Sequence, residues 1–218
     1  MPNKEAYSSQ QLNVSKLSLI RSERLILSDV NFSAKSGSGI FLRGDNGVGK
    51  TTLLMAIAGY LHIGAGKITW GTDNNEEENS LIENLHFIAH QDAIKPTLSL
   101  KENLMFWCSL YGGAPEKVID ALKIVGLSHA IDFEAGLLSA GQKKRLSLAR
   151  LLVANRALWL LDEPTSSLDK QGDELVVSLI DNHLERGGIA IIATHLDLNI
   201  KNAKTLILEK ANQYGEIA

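Results

Sequence analysis

The chain has 218 residues, 44% of them apolar, a formal net charge of −3 and a single cysteine. That is enough for one sizeable core with an attached lobe, and it excludes an intramolecular disulfide and the strongly basic balance of a wholesale nucleic-acid binder. No apolar run approaches the roughly 18–20 residues of a membrane span, and MPNKEAYSSQQ lacks the apolar stretch of a secretory leader, so a soluble chain is expected, with any membrane role exercised through a partner.

In chain order, Leu25–Phe32 alternates loosely and predicts a strand with a turn beyond it. Ile40-Phe41-Leu42 follows the turn at Gly37–Gly39 and predicts a buried strand, and residues 50–60 predict a helix with Leu53, Leu54, Ala56 and Ile57 on its apolar face. The acidic stretch DNNEEENS reads as a solvated hairpin tip. Leu85–Ala89 predicts another strand. Residues 98–138 lose the strand pattern and predict helices broken at Gly112-Gly113, with Cys108 packed as a small hydrophobe beside Trp107. The continuous apolar runs Leu158–Leu161 and Ile189–Ala193 suit strands buried on both faces of a parallel sheet. Strand and helix alternate on either side of the helical block, which predicts an α/β core interrupted by a helical lobe.

Four features carry chemistry. Gly44-Asp45-Asn46-Gly47-Val48-Gly49-Lys50-Thr51 fits G-x-x-x-x-G-K-[ST] between a predicted strand and a predicted helix. Glycines there permit a loop whose N–H groups converge on phosphate oxygens, with Lys50 for the β- and γ-phosphates and Thr51 for Mg²⁺; the plain alternative is a Gly-rich turn. Asp162-Glu163 ends an apolar run, where a buried carboxylate is costly unless a cation or hydrogen bonds compensate it. Two side by side at a strand end are hard to explain as packing: Asp162 is the candidate Mg²⁺ partner and Glu163 the candidate base or water-positioning group, and the plain alternative is an acidic turn before Pro164. Gln91 and His195 follow predicted strands, and in open parallel sheets such positions converge at the carboxyl edge. Finally, Leu138-Ser139-Ala140-Gly141-Gln142 opens into Lys143-Lys144-Arg145 and then a helical apolar pattern. Cations are disfavoured in a first helical turn unless an anion docks there.

In order, the P-loop, Gln91, Leu138–Gln142, Asp162-Glu163, Ser167-Leu168-Asp169 and His195 resemble the Walker A, Q-loop, signature, Walker B, D-loop and H-loop elements of the ATP-binding cassette family, over nearly the whole chain. Within that family IAHQDAIKPTLSLKENLMFW, LLSAGQKKRLSLARLLVANRALWLLDEP and GGIAIIATH are most similar to ATP-binding subunits of cytochrome c maturation transporters. The resemblance implies an α/β P-loop NTPase fold: a RecA-like parallel sheet core (about 12–91 and 154–210), an antiparallel β subdomain and an inserted helical subdomain (about 92–153), all within one nucleotide-binding domain over 1–218.

The resemblance also implies ATP and Mg²⁺ as cofactors. Gly44 to Thr51, with Thr52, would bind nucleotide, and Thr51, Gln91 and Asp162 would hold Mg²⁺. Glu163, His195 and Gln91 would serve hydrolysis. Leu138, Ser139, Ala140, Gly141 and Gln142 would face ATP bound by a second copy, which answers the unpaired charge at that helix start, and Ser167, Leu168 and Asp169 would form the D-loop. The implied partners are that second copy and a transmembrane permease subunit of the cytochrome c maturation type, with no nucleic acid. The implied seat is the cytoplasmic face of a bacterial inner membrane. One departure stands out. Cassettes stack adenine on an early aromatic residue, but no Tyr, Trp or Phe lies between Tyr7 and Phe32, and Arg21 falls about where it belongs. Rival readings are the ATPase of another importer or exporter, a soluble cassette protein and a P-loop small-molecule kinase. The stretch from Gln91 to Ser139 is too short for the coiled-coil insertion of many soluble cassettes, and a kinase has no need of residues 138–142.

Overall fold

The computed structural model describes residues 6–72, 75–76 and 80–211. Along the chain run β1 (Gln11–Arg21), β2 (Arg24–Lys35), β3 (Gly39–Arg43), α1 (Lys50–Ile57), β4 (Ala65–Thr72), β5 (Asn75–Glu76), the short α2 (Ser80–Glu83) and β6 (Leu85–Ile88). Then come α3 (Leu100–Leu110), α4 (Lys117–Ile124), α5 (Ala140–Ala149), β7 (Leu158–Asp162), α6 (Lys170–Glu185), β8 (Ile189–Ala193) and β9 (Ala203–Ile207).

The first sheet is antiparallel, in the order β2-β1-β4-β5. In β1, Leu12 and Val14 are buried, Ser15 and Lys16 are both exposed, and Leu17 and Leu19 are buried again. The pairing with β2 shifts between Val14 and Leu17, and Lys16 has φ 50. Strand side chains alternate with period two, so this bulge moves the inward face from even to odd positions. Of the acidic stretch, residues 73–74 and 77–79 lie outside the described residues; Asn75 and Glu76 pair with Thr72 and Gly71.

The second sheet is parallel, in the order β6-β7-β8-β3-β9. Every residue of β7 and β8 is buried. Leu158, Leu160, Ile189 and Ile191 share a cluster with Leu53, Leu54 and Ile57 of α1 and with the first sheet. Trp159, Leu161, Ala190 and Ile192 pack with Val176, Leu179 and Ile180 of α6. Covering on both faces is the physical reason these strands read as unbroken apolar runs.

Between β6 and β7 the chain leaves the sheet for α3–α5, which carry their own cluster through Leu100, Leu104, Val118, Leu122, Leu146 and Val153. α3 begins at a capping box between Ser99 and Glu102. The break at Gly112-Gly113 is steric as well as conformational, since a Cβ on Gly113 would sit 2.0 Å from the Val153 carbonyl oxygen. Cys108 is buried in this cluster.

Candidate active site

The loop from β3 to α1 follows from its glycines. Gly44 has φ 138, and a Cβ there would lie 2.5 Å from the Leu208 carbonyl oxygen; Gly49 has φ 118 and is pressed by Ile26 and Leu27 at 3.0 Å. Only glycine adopts such angles in such space without strain. Val48 turns inward to the core, so its contribution to the loop is its backbone. Gly49 caps α1 without a side-chain bond, and no acidic residue stands in the first turn, so the amide donors of that turn face the cleft with their partial positive charge uncompensated. Lys50 is buried, with its Nζ donating to the carbonyls of Gly44 at 2.7 Å and Asp45 at 3.1 Å.

At the same sheet edge Thr51 Oγ1 donates to Asp162 Oδ2 at 2.8 Å. Asp162 is the last residue of β7 and is buried. Glu163, the next residue, has φ 48, and its N–H donates to the Ala193 carbonyl at 2.8 Å, binding the ends of β7 and β8 together. Its Oε1 lies 3.5 Å from His195 Nε2. These groups open onto a cleft of about 620 Å³, walled by Asn46, Gly47, Gly49, Lys50, Thr51 and Thr52 from the P-loop, by Asp162, Glu163, Ser166 and His195 from the edges of β7 and β8, and by Arg21, Ile26 and His90. A larger groove of about 760 Å³ between α6 and residues 196–201 has no loop of this kind. The cleft holds the chemistry, because converging amides, one ammonium and two carboxylates are what a phosphate chain with its counter-ion requires.

The other sequence candidates sit around this cleft. Arg21 stands in its wall, on the side of the first sheet. Gln91 is exposed on the loop past β6, and at that point the wall is His90. The reason is the next residue: Asp92 pairs with Lys144 Nζ at 3.2 Å and draws the loop toward α5. Leu138–Gln142 do not line the cleft. Ser139 caps α5 with a full capping box, its Oγ accepting from the Gln142 N–H at 3.3 Å while Gln142 Oε1 accepts from the Ser139 N–H at 2.9 Å. Gly141 lies against Ser167, where a Cβ would meet the carbonyl oxygen at 2.9 Å. Ser167 has φ 66, and Asp169 caps α6 by accepting from the Gly172 N–H at 2.8 Å.

The helix that carries the three cations begins at Ala140, and two of the three have local partners. Lys144 holds Asp92, and Arg145 Nη2 lies 3.4 Å from Asp169 Oδ1. Neither Asp92 nor His90 is one of the sequence candidates, and Asp92 and its partner Lys144 are far apart in the chain.

A family model described as ABC transporter matches residues 27–166. The cytochrome c biogenesis ATP-binding export protein CcmA of Rhodopseudomonas palustris (strain BisB5) is 47% identical over 184 residues, which cover 84% of this chain and 91% of that protein. The protein of the same name from Bradyrhizobium diazoefficiens is 43% identical over 197 residues, 90% of this chain and 98% of that one. Among solved structures, a putative ABC transporter ATP-binding protein from Pyrococcus furiosus superposes with a TM-score of 0.80 at 24% identity, over 92% of this chain and 100% of that one. A dimeric, post-hydrolysis ATP-binding cassette bound to ADP and Pi gives a TM-score of 0.77 at 24% identity, over 91% and 94%. At these identities the two structures establish the shared fold, and the sequence matches establish the family. The chain belongs to the ABC transporter family, as an ATP-hydrolysing subunit grouped with the cytochrome c biogenesis ATP-binding export proteins.

Proposed function

We propose that this ATPase works as a pair of copies around two ATP molecules and drives a membrane-embedded partner in c-type cytochrome maturation, with haem or a haem-bearing chaperone as the species moved or released. The observation that carries the catalytic part is the meeting of Thr51, Asp162, Glu163 and His195 at one sheet edge beside the P-loop. Thr51 Oγ1 and Asp162 Oδ2 are hard oxygen donors at the cleft, the donor type Mg²⁺ takes alongside phosphate oxygens. When bound, the ion would neutralise charge on the β- and γ-phosphates. Lys50 turns from the loop carbonyls to the phosphates, the amides of Gly47–Thr51 hold their oxygens, and Glu163 orients and deprotonates the attacking water while His195 steadies the γ-phosphate.

The pairing of copies is supported by the position of the signature turn. Ser139 and Ala140 are exposed and lie outside their own chain's cleft wall, so their contribution to ATP comes across an interface. A membrane partner is supported by the export role in the relatives' names together with the described helices, none of which is long and apolar enough to cross a membrane. By the same reasoning the working position is the cytoplasmic face of the inner membrane.

Deleting the gene tests the process served. The expected result is loss of covalently haem-bearing c cytochromes while b-type haem proteins persist, with rescue by the wild-type gene. Normal c cytochromes in the deletion strain would assign the ATPase to another transporter.

A further inference from the structure

We infer that Arg43 is a positioning residue for ATP hydrolysis, which it serves by clamping the backbone on both sides of His195; this rests on the role given to His195 above. Arg43 is the last residue of β3 and directly precedes Gly44 of the P-loop. Its guanidinium crosses to the loop after β8. Nη1 donates to the Thr194 carbonyl, and Nη2 donates to the Leu196 carbonyl at 2.6 Å. Those two carbonyls flank His195 in the chain. Nη2 also meets Asp197 Oδ1 at 3.1 Å, but that carboxylate is fully exposed, so solvent screens it and the carbonyl contacts dominate.

The clamp is itself anchored. The Arg43 carbonyl accepts from the Leu208 N–H at 2.8 Å, β3 pairs with β8 up to Leu42 and Ala193, and the guanidinium lies 5.1 Å from the Phe41 ring centroid. His195 is half exposed and its own imidazole contact is the 3.5 Å approach to Glu163, too long to hold the ring in place. The chain past Ala193 has left the sheet, so the ladder no longer fixes its course. A planar guanidinium with parallel donors can hold two carbonyls at once, whereas a lysine ammonium is a point charge without that fork. Arg43 thereby ties the strand that launches the P-loop to the loop that carries His195.

The test is a double-mutant cycle on the full-length chain, read by single-turnover hydrolysis of γ-labelled ATP and by ATP affinity on the same samples. Arg43→Met should slow hydrolysis about 10- to 100-fold while ATP affinity stays within about threefold, the pattern of a group felt in the transition state. Arg43→Lys should recover part of the rate. In a His195→Ala background, Arg43→Met should cost no more than about twofold further, since residues acting through one another are not additive. Arg43→Gln, which keeps one amide donor, takes its place in the cycle if the methionine variant does not fold by circular dichroism. Equal loss in both backgrounds, a wild-type rate for Arg43→Met, or a matching loss of ATP affinity would each overturn the clamp. A wild-type rate for His195→Ala alone would remove the role of His195 and the clamp together, whereas a slow His195→Ala beside a normal Arg43→Met removes the clamp only.

Discussion

Lys144 of the signature helix and Asp92, one residue past Gln91, form an ion pair of 3.2 Å in which the lysine side chain is 2% exposed. Neither paired atom makes a hydrogen bond, so each depends on the other's charge. Lys144→Met should therefore leave a carboxylate without compensation and destabilise the chain. Asp92 keeps some access to water, so the loss should be about 2–3 kcal/mol rather than the larger cost of a fully sealed pair. Lys144→Met with Asp92→Leu should recover most of it. Urea denaturation of the three proteins checks this, and a double variant as unstable as the single one would contradict it.

Glu163→Gln removes the charge at the position proposed to activate water and keeps its size. ATP binding should survive while hydrolysis falls by roughly 10² to 10⁴, the range of a lost general base. The variant should accumulate as an ATP-dependent dimer on size exclusion at high protein concentration. Adding Ser139→Arg, on an exposed turn outside the chain's own cleft, should abolish that dimer and leave ATP binding to the single chain intact. A double variant that still pairs on ATP would place the signature elsewhere than at the interface.

Arg21 and Ile26, instead of an aromatic ring, line the cleft on the side of the first sheet. A guanidinium stacks on any base without reading its edge. GTP should then compete with ATP to within about tenfold, or about 1.4 kcal/mol. Competition binding with both nucleotides decides it; a preference for ATP far beyond a hundredfold points to base recognition that Arg21 does not supply.

His86 and His183 are buried, and burial pushes each pKa down to about 3, against carbonyl contacts from Ala154 and Ile189 that act the other way. His183 also stacks on Trp159 with 3.9 Å between ring centroids. Both rings fold neutral. The unfolded chain takes up their protons below the ordinary histidine value near 6.5, so acidification favours unfolding through the window from about 6.5 down to about 3. Each should cost about 1.4 kcal/mol per pH unit there. Urea midpoints should fall accordingly between pH 6.5 and about 5, and His86→Leu should remove about half of the slope there.

How legible the molecule is depends on where its information lies. The P-loop, Asp162-Glu163 and the strands β3, β6, β7 and β8 are plain in the sequence, because motif spacing and double-sided burial leave local marks. β1 is hidden: its bulge at Lys16 changes the phase of the alternation midway. β9 is an edge strand whose residues are exposed or half-buried, so its pattern is weak. The cations at Lys144 and Arg145 lack partners nearby in the sequence and gain them in the fold, where Asp92 and Asp169 reach them from loops distant in the chain. Gln91 is legible as a loop residue past a strand, but its orientation depends on Asp92, which no motif marks.

Glu163 occupies a left-handed backbone conformation with φ 48, held by its N–H on the Ala193 carbonyl. For a residue with a Cβ, that geometry costs roughly 1–2 kcal/mol. Glycine or asparagine would sit there with less strain, and neither could take a proton from water. A population of variants selected only for heat resistance should therefore drift at this codon toward those two residues. Turnover would be the first property to vanish, in proteins that still fold, still bind nucleotide and melt later than their parent.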